Sequence, residues 1–135
     1  MATDTIYYIS YPEAVLLHIE LMQWYGETRF GVAFRDLVES ALARPQQAAV
    51  YENADLLRQA ATLCFGLVKN HPWVGGNKRT ATYITEAFLM ANEAGLNAPV
   101  AETVRLVLAI ESDRYEMNEI EAWFRAHTIL TKFGS

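Results

Sequence analysis

Apolar residues recur along this chain at intervals of three and four, the spacing of amphipathic helices. Val15, Leu16, Ile19 and Met22 form the first such stripe. Ser10 and Glu13 stand before it at capping-box spacing, with Pro12 in the first turn and Gly26 as the stop. Phe34, Leu37, Val38, Ala41 and Leu42 predict a short second helix, ended before Pro45. Residues 44–52 then read as an extended excursion, because proline resists a helix interior. The third helix is expected from a cap at Asn53 to about Asn70. Leu56, Leu57, Ala60, Ala61, Leu63, Cys64, Leu67 and Val68 give it a wide apolar stripe, as a deeply buried helix requires. Pro72 ends it.

A turn over 73–77 leads into a fourth helix, Lys78 to Ala94, with Gly95 as its stop. Pro99 opens a fifth, carrying Val100, Val104, Leu108 and Ile110. Asp113 and Glu116 have capping-box spacing ahead of a sixth, with Met117, Ile120, Trp123 and Phe124 and an apolar pattern reaching Ile129. The expected architecture is all-α: one compact bundle of about six helices with a short extended flap at 44–52, forming a single domain over 1–135.

Composition sharpens this picture. A chain of 135 residues with 52% hydrophobic and 20% charged residues can bury a core unaided. Its net charge of −5 argues against nonspecific nucleic-acid binding, which needs cations to neutralise phosphates. A single cysteine, Cys64, allows no internal disulfide and reads as core. The opening MATDTIYYIS lacks the pattern of a signal peptide, and no apolar run reaches the ~20 residues of a membrane span. A cytoplasmic, membrane-free protein is expected. His18, among apolar neighbours, reads as a packing histidine, and His127 as surface. No histidine pair has the i, i+4 spacing of a helical zinc site. Lys69 reads as a solvated helix-end cation and Trp73 as a loop anchor. Tyr7, Tyr8 and Tyr11 are expected to pack the chain end.

One stretch carries chemistry: His71-Pro72-Trp73-Val74-Gly75-Gly76-Asn77-Lys78-Arg79-Thr80. Gly75 and Gly76 allow close backbone approach, and a helix starts immediately after. Its first N–H groups lack partners, and its dipole makes that end positive. Lys78 and Arg79 oppose that dipole, so a bound anion, phosphate above all, best explains their placement. His71 is a candidate general base for a hydroxyl attacking that phosphate. No Walker A loop can be matched here.

The stretch resembles the signature of the Fic/Doc superfamily, HxFx[DE]GN[GK]R. His71, Gly76, Asn77 and Arg79 match directly, and Trp73 stands in for the aromatic. Lys78 matches the death-on-curing (Doc) branch, whose NKRT replaces the NGRxxR ending of the Fic branch; Thr82 occupies the place of that ending's second arginine. Arg35-Asp36 and the run Glu39 to Pro45 are similar to the RD…LESALARP stretch of Doc toxins, and the likeness extends over roughly residues 6–125.

The resemblance implies the toxin of a toxin–antitoxin pair. It would transfer a phosphoryl group from a nucleoside triphosphate, ATP being expected, to a threonine or serine hydroxyl of a target such as elongation factor Tu, arresting translation. His71 would be the base; Asn77, Lys78 and Arg79, with the backbone of Gly75 and Gly76, would hold the phosphates; the 44–52 flap would dock the target. An antitoxin protein is the implied partner, and a homodimer stays open. Gly75 stands where the family has Asp or Glu, a carboxylate that helps hold Mg²⁺. Either the nucleotide chiefly holds the metal, or Glu86 substitutes, or activity is weakened or lost. Two alternatives therefore remain: nucleotidyl transfer of the Fic kind, and a degenerate domain that only binds nucleotide or protein.

Overall fold

The computed structural model describes residues 5–131. Six helices and one small sheet occur among them: α1 Tyr11–Trp24, α2 Arg35–Glu52, α3 Leu56–Asn70, α4 Asn77–Ala91, β1 Ala94–Leu96, α5 Val100–Glu111, α6 Met117–His127 and β2 Thr128–Leu130. The all-α expectation holds. α3 is the axle of the bundle. It packs against α2, α4, α5 and α6, and its residues Gln59 to Cys64 and Gly66 to Val68 are all buried. That burial is what its wide apolar stripe demanded. Cys64 lies inside it, its thiol pushed up to about 12 by burial, so it is an inert core group.

The start of α1 follows the sequence rule. The Ser10 Oγ accepts from the Glu13 N–H, and a Glu13 carboxylate oxygen accepts from the Ser10 N–H at 2.8 Å. The three tyrosines pack the chain end: Tyr7 donates to Glu13, Tyr8 donates to Gln59, and Tyr11 lies under the Arg35 guanidinium.

Residues 44–52 are helical, not an extended flap. α2 runs through Pro45 to Glu52. A helix-interior proline costs about 3 kcal/mol through its missing N–H and its clash with the preceding turn. Burial of Val38, Ala41, Pro45 and Ala48 as one stripe against α3 offsets that cost. Asn53 ends α2 in a left-handed conformation rather than capping α3; Asp55 caps α3, accepting from the Arg58 N–H at 3.0 Å.

The C-terminal third differs from the helical pattern in a similar way. α4 stops at Ala91, where the Asn92 side chain donates to the Phe88 carbonyl and Glu93 turns the chain with φ 64°. Gly95 is therefore a strand residue, not a helix stop. β1 pairs antiparallel with β2, Ala94 opposite Leu130 and Leu96 opposite Thr128, so Ile129 leaves the helix that its spacing suggested. α6 is capped at Glu116, whose N–H donates to Glu119 at 2.7 Å, while Asp113 instead takes a positive φ in the preceding turn. His127 is half-buried, stacked on Trp123, rather than a surface group.

Among the described residues no helix is long and apolar enough to cross a membrane.

Candidate active site

The ten-residue stretch His71 to Thr80 forms the junction between α3 and α4. Pro72 bars helical continuation, and the chain leaves α3 through His71, which adopts a left-handed conformation at φ 51°. Histidine tolerates that region better than most residues, and such strain is often kept at working sites. The His71 side chain is exposed and has no hydrogen-bond or ion-pair partner among the described residues. Its ring is therefore free to meet a ligand.

Behind His71 the loop is fixed from both sides. Trp73 is buried, and its ring stacks on His18 at 4.2 Å between centroids, making it the loop anchor that was expected. Asn77 is also buried, and its amide closes the turn: its Oδ1 accepts from the Trp73 N–H and its Nδ2 donates to the Trp73 carbonyl, both at 2.9 Å. Both polar ends of the Asn77 side chain are thus committed to the loop. What Asn77 can offer an anion is its backbone N–H.

α4 begins behind Gly76, whose φ of 67° favours glycine and where a β-carbon would lie 2.4 Å from the Met22 sulfur. No side chain caps this end, and the first intrahelical bond is donated by the Thr80 N–H to Gly76. The N–H groups of Asn77, Lys78 and Arg79 thus point out of the helix with the positive end of its dipole. Lys78 reaches Glu111 of α5 at 3.4 Å; Arg79 reaches Glu27 at 3.2 Å and lies over the Tyr25 ring. Both pairs are substantially exposed, and exposed pairs are worth only about 0–1 kcal/mol. An arriving phosphate can take these cations from their carboxylates at little cost. Lys69, by contrast, pairs with Asp113 in the α5–α6 turn and stands apart from this group.

A strap, residues 26–34, covers the loop, and the sequence reading missed it. The Val74 N–H donates to the Gly31 carbonyl at 2.8 Å, and the Ala33 and Phe34 N–H groups donate to the Pro72 carbonyl at 2.9 and 3.0 Å. Val32 sits opposite Trp73 in an antiparallel bridge. The extended element beside the motif is thus this strap and not 44–52. The run Phe30-Gly31-Val32-Ala33-Phe34, apolar around one glycine, was its only signal in the sequence.

The strap also explains Gly75. A β-carbon at that position would lie 2.6 Å from the Arg29 carbonyl oxygen. The departure from Asp or Glu is thus built into the backbone packing. It bears directly on a metal. Gly75 brings no carboxylate, Glu27 and Glu111 are paired with Arg79 and Lys78, and no group of three or more His, Cys, Asp or Glu side chains fit to hold an ion occurs among the described residues. The residues present do not fit a protein-held Mg²⁺.

His18 ties the assembly together. It is fully buried; its Nε2 accepts from the Gly31 N–H at 2.9 Å, so the ring hydrogen sits on Nδ1 and is donated to Thr80 Oγ1 at 2.9 Å. One neutral imidazole thus joins α1, the strap, Trp73 and α4. Its packing character was legible in the sequence, but its three tertiary partners were not. Burial pushes its pKa down from 6.5 to about 4. The unfolded chain therefore binds a proton in that window and the folded chain does not, so stability falls as pH drops from about 6.5 to about 4. At ~1.4 kcal/mol per pH unit the loss is on the order of 3 kcal/mol. Urea midpoints measured across that range should show this acid limb in the wild type and a flatter one in His18→Gln. Parallel profiles would assign the limb to other groups.

The small helical bundle presents an unpartnered imidazole next in the chain to an uncapped, cation-bearing helix start, an arrangement suited to an anionic ligand. The comparison with family models agrees: the Fic/DOC family model matches residues 8–89. The match spans α1 to most of α4 and more than half the chain, so the chain belongs to the Fic/DOC family. It is narrower than the 6–125 over which the sequence resembles Doc toxins. Membership makes this a Fic-type domain of the toxin and protein-modifying transferase kind. No curated protein matches the chain.

Proposed function

We propose that this domain is a Doc-type toxin that phosphorylates a threonine or serine hydroxyl of a target protein, elongation factor Tu being the expected target, from a nucleoside triphosphate such as ATP. The observation that carries this reading is the pairing of the free His71 ring with Lys78 at the uncapped start of α4. His71 takes the proton of the target hydroxyl. The hydroxyl oxygen bonds to the γ-phosphorus as the bond to the β,γ-bridging oxygen breaks, and the nucleoside diphosphate leaves with that electron pair. The N–H groups at the start of α4, with Lys78 and Arg79, compensate the charge on the transferred group. An ion that accompanies the nucleotide is held by its phosphates.

Docking of the target falls to the strap. Gly31 and Ala33 turn their bonded groups toward the motif loop, so the N–H and C=O of Val32, between them, face the other edge. An extended target segment can add to that edge by strand pairing. An antitoxin covering the same face would block it.

The degenerate reading draws on one observation, the steric exclusion of a side chain at Gly75. Labelled nucleotide separates the readings. Incubation with target should move label from γ-labelled and not from α-labelled ATP. Retention of the α label would show nucleotidyl transfer instead, and nucleotide binding with neither label moved would leave a binding domain.

A further inference from the structure

The far end of α1 meets the motif along one face. His18 donates to Thr80, Met22 lies against Gly76, and Tyr25 lies under the Arg79 guanidinium. Steps of four and three residues bring all three to the same side of the helix. α1 then closes in a Schellman turn: the Glu27 N–H donates to the Met22 carbonyl at 2.9 Å and the Gly26 N–H to the Gln23 carbonyl at 3.0 Å, with Gly26 at φ 68°. The turn sets Tyr25 and Glu27 about the same cation. The Arg79 Cζ lies 4.2 Å from the centre of the Tyr25 ring, and its Nη1 lies 3.2 Å from a Glu27 carboxylate oxygen.

The two contacts differ in kind. Glu27 offers carboxylate oxygens, as a phosphate would, in an exposed pair that is weakly held. It competes with an anion for the same N–H groups. The Tyr25 ring offers those groups no oxygen. It takes one face of the planar guanidinium and leaves the N–H donors at its edge for an anion. An arriving phosphate therefore displaces Glu27 and keeps the stack. Tyr25 is 53% exposed, so core packing does not account for its place, and its hydroxyl has no hydrogen-bond partner among the described residues. What remains is the ring. Tyr25 and Arg79 line a cleft of about 440 Å³, which Glu86 faces from two turns further along α4, so the guanidinium is open to a ligand there.

A long side chain that orders itself only around a ligand loses affinity to that ordering, and one already held does not. We propose that Tyr25 is the positioning residue for Arg79: its ring holds the guanidinium beside the start of α4 before the phosphates of the donor arrive. The proposal rests on the phosphate-binding role given above to Arg79, and it adds the group that sets that side chain in advance.

Titration calorimetry with inorganic triphosphate and with ATP tests it, on the wild type, Tyr25→Leu, Tyr25→Phe, Glu27→Gln, Arg79→Leu and the double variant of Tyr25→Leu with Arg79→Leu. Thermal melts check that each folds. Tyr25→Leu should weaken both ligands about two- to fivefold, the usual worth of an exposed cation–π stack. Tyr25→Phe keeps the ring and should bind as the wild type does. Glu27→Gln removes only the competing carboxylate and should bind at least as tightly. In the Arg79→Leu background, Tyr25→Leu should have no further effect, a coupling that a merely structural role would not show. Tyr25→Leu binding like the wild type, where Arg79→Leu loses affinity, would overturn the positioning role and leave the phosphate reading standing. So would an undiminished Tyr25→Leu loss in the Arg79→Leu background, or a Glu27→Gln loss as large as that of Tyr25→Leu. Triphosphate bound equally with and without Arg79, or not bound at all, would overturn the phosphate reading and the positioning role with it.

Discussion

Replacing His71 with asparagine should abolish transfer to the target while leaving the fold intact. The choice of residue matters. His71 sits at φ 51°, where asparagine is tolerated and alanine adds backbone strain. His71→Asn therefore keeps the geometry of the α3–α4 junction and removes only the base. The ring makes no bond to the rest of the domain, so the melting temperature should barely move. General-base catalysis contributes ~10²–10⁴-fold, and the rate of label transfer should fall by that factor. His71→Ala should lose the same activity and, in addition, a modest amount of stability. Induced expression gives a second readout: the wild type should arrest growth and the asparagine variant should not. A His71→Asn protein that keeps more than a tenth of the transfer rate would remove His71 from the chemistry.

The second large effect is on stability and concerns Gly75. Sequence comparison alone invites Gly75→Asp as a repair that restores a metal-binding carboxylate. The structure reverses that expectation. The β-carbon alone would stand 2.6 Å from the Arg29 carbonyl oxygen, a backbone atom that cannot rotate away. Relief requires the strap to lift, which strains or breaks the bond from the Val74 N–H to Gly31 and disturbs the Gly31 contact to His18. Overpacking together with a lost hydrogen bond predicts a loss of roughly 2–4 kcal/mol. For a domain of this size that is on the order of 10 °C in melting temperature. Gly75→Ala should lose nearly as much, because the clash belongs to the first side-chain atom. The aspartate should not make nucleotide binding more dependent on Mg²⁺. A Gly75→Asp protein as stable as the wild type, with tighter binding in Mg²⁺, would show that the strap yields and that the carboxylate can be restored.

What could be read along the chain was whatever depends on near neighbours. The Ser10–Glu13 cap, the stop imposed by Pro72 on α3, the buried stripe around Cys64 and the ten-residue stretch from His71 to Thr80 are all set by residues within a turn or two of each other. So is the uncapped start of α4, since a glycine turn followed by two cations states it directly. The failures share a different cause. Pro45 and Gly95 are local breakers whose fate was settled elsewhere: α3 buries the face of α2 that carries Pro45, and pairing with residues 128–130 makes Gly95 a strand residue. The strap, the carbonyl of Arg29 against Gly75, and the imidazole of His18 between Gly31 and Thr80 join residues far apart in sequence, and no periodicity records such contacts. The sequence by itself determined the helical class, the family and the ten-residue stretch that holds the candidate site. Only the tertiary structure decided that Asn77 is spent on Trp73, that a side chain at residue 75 would meet the Arg29 carbonyl, and that Glu86 faces an open cleft, because each is a matter of which surfaces come within hydrogen-bonding or van der Waals reach once the helices pack.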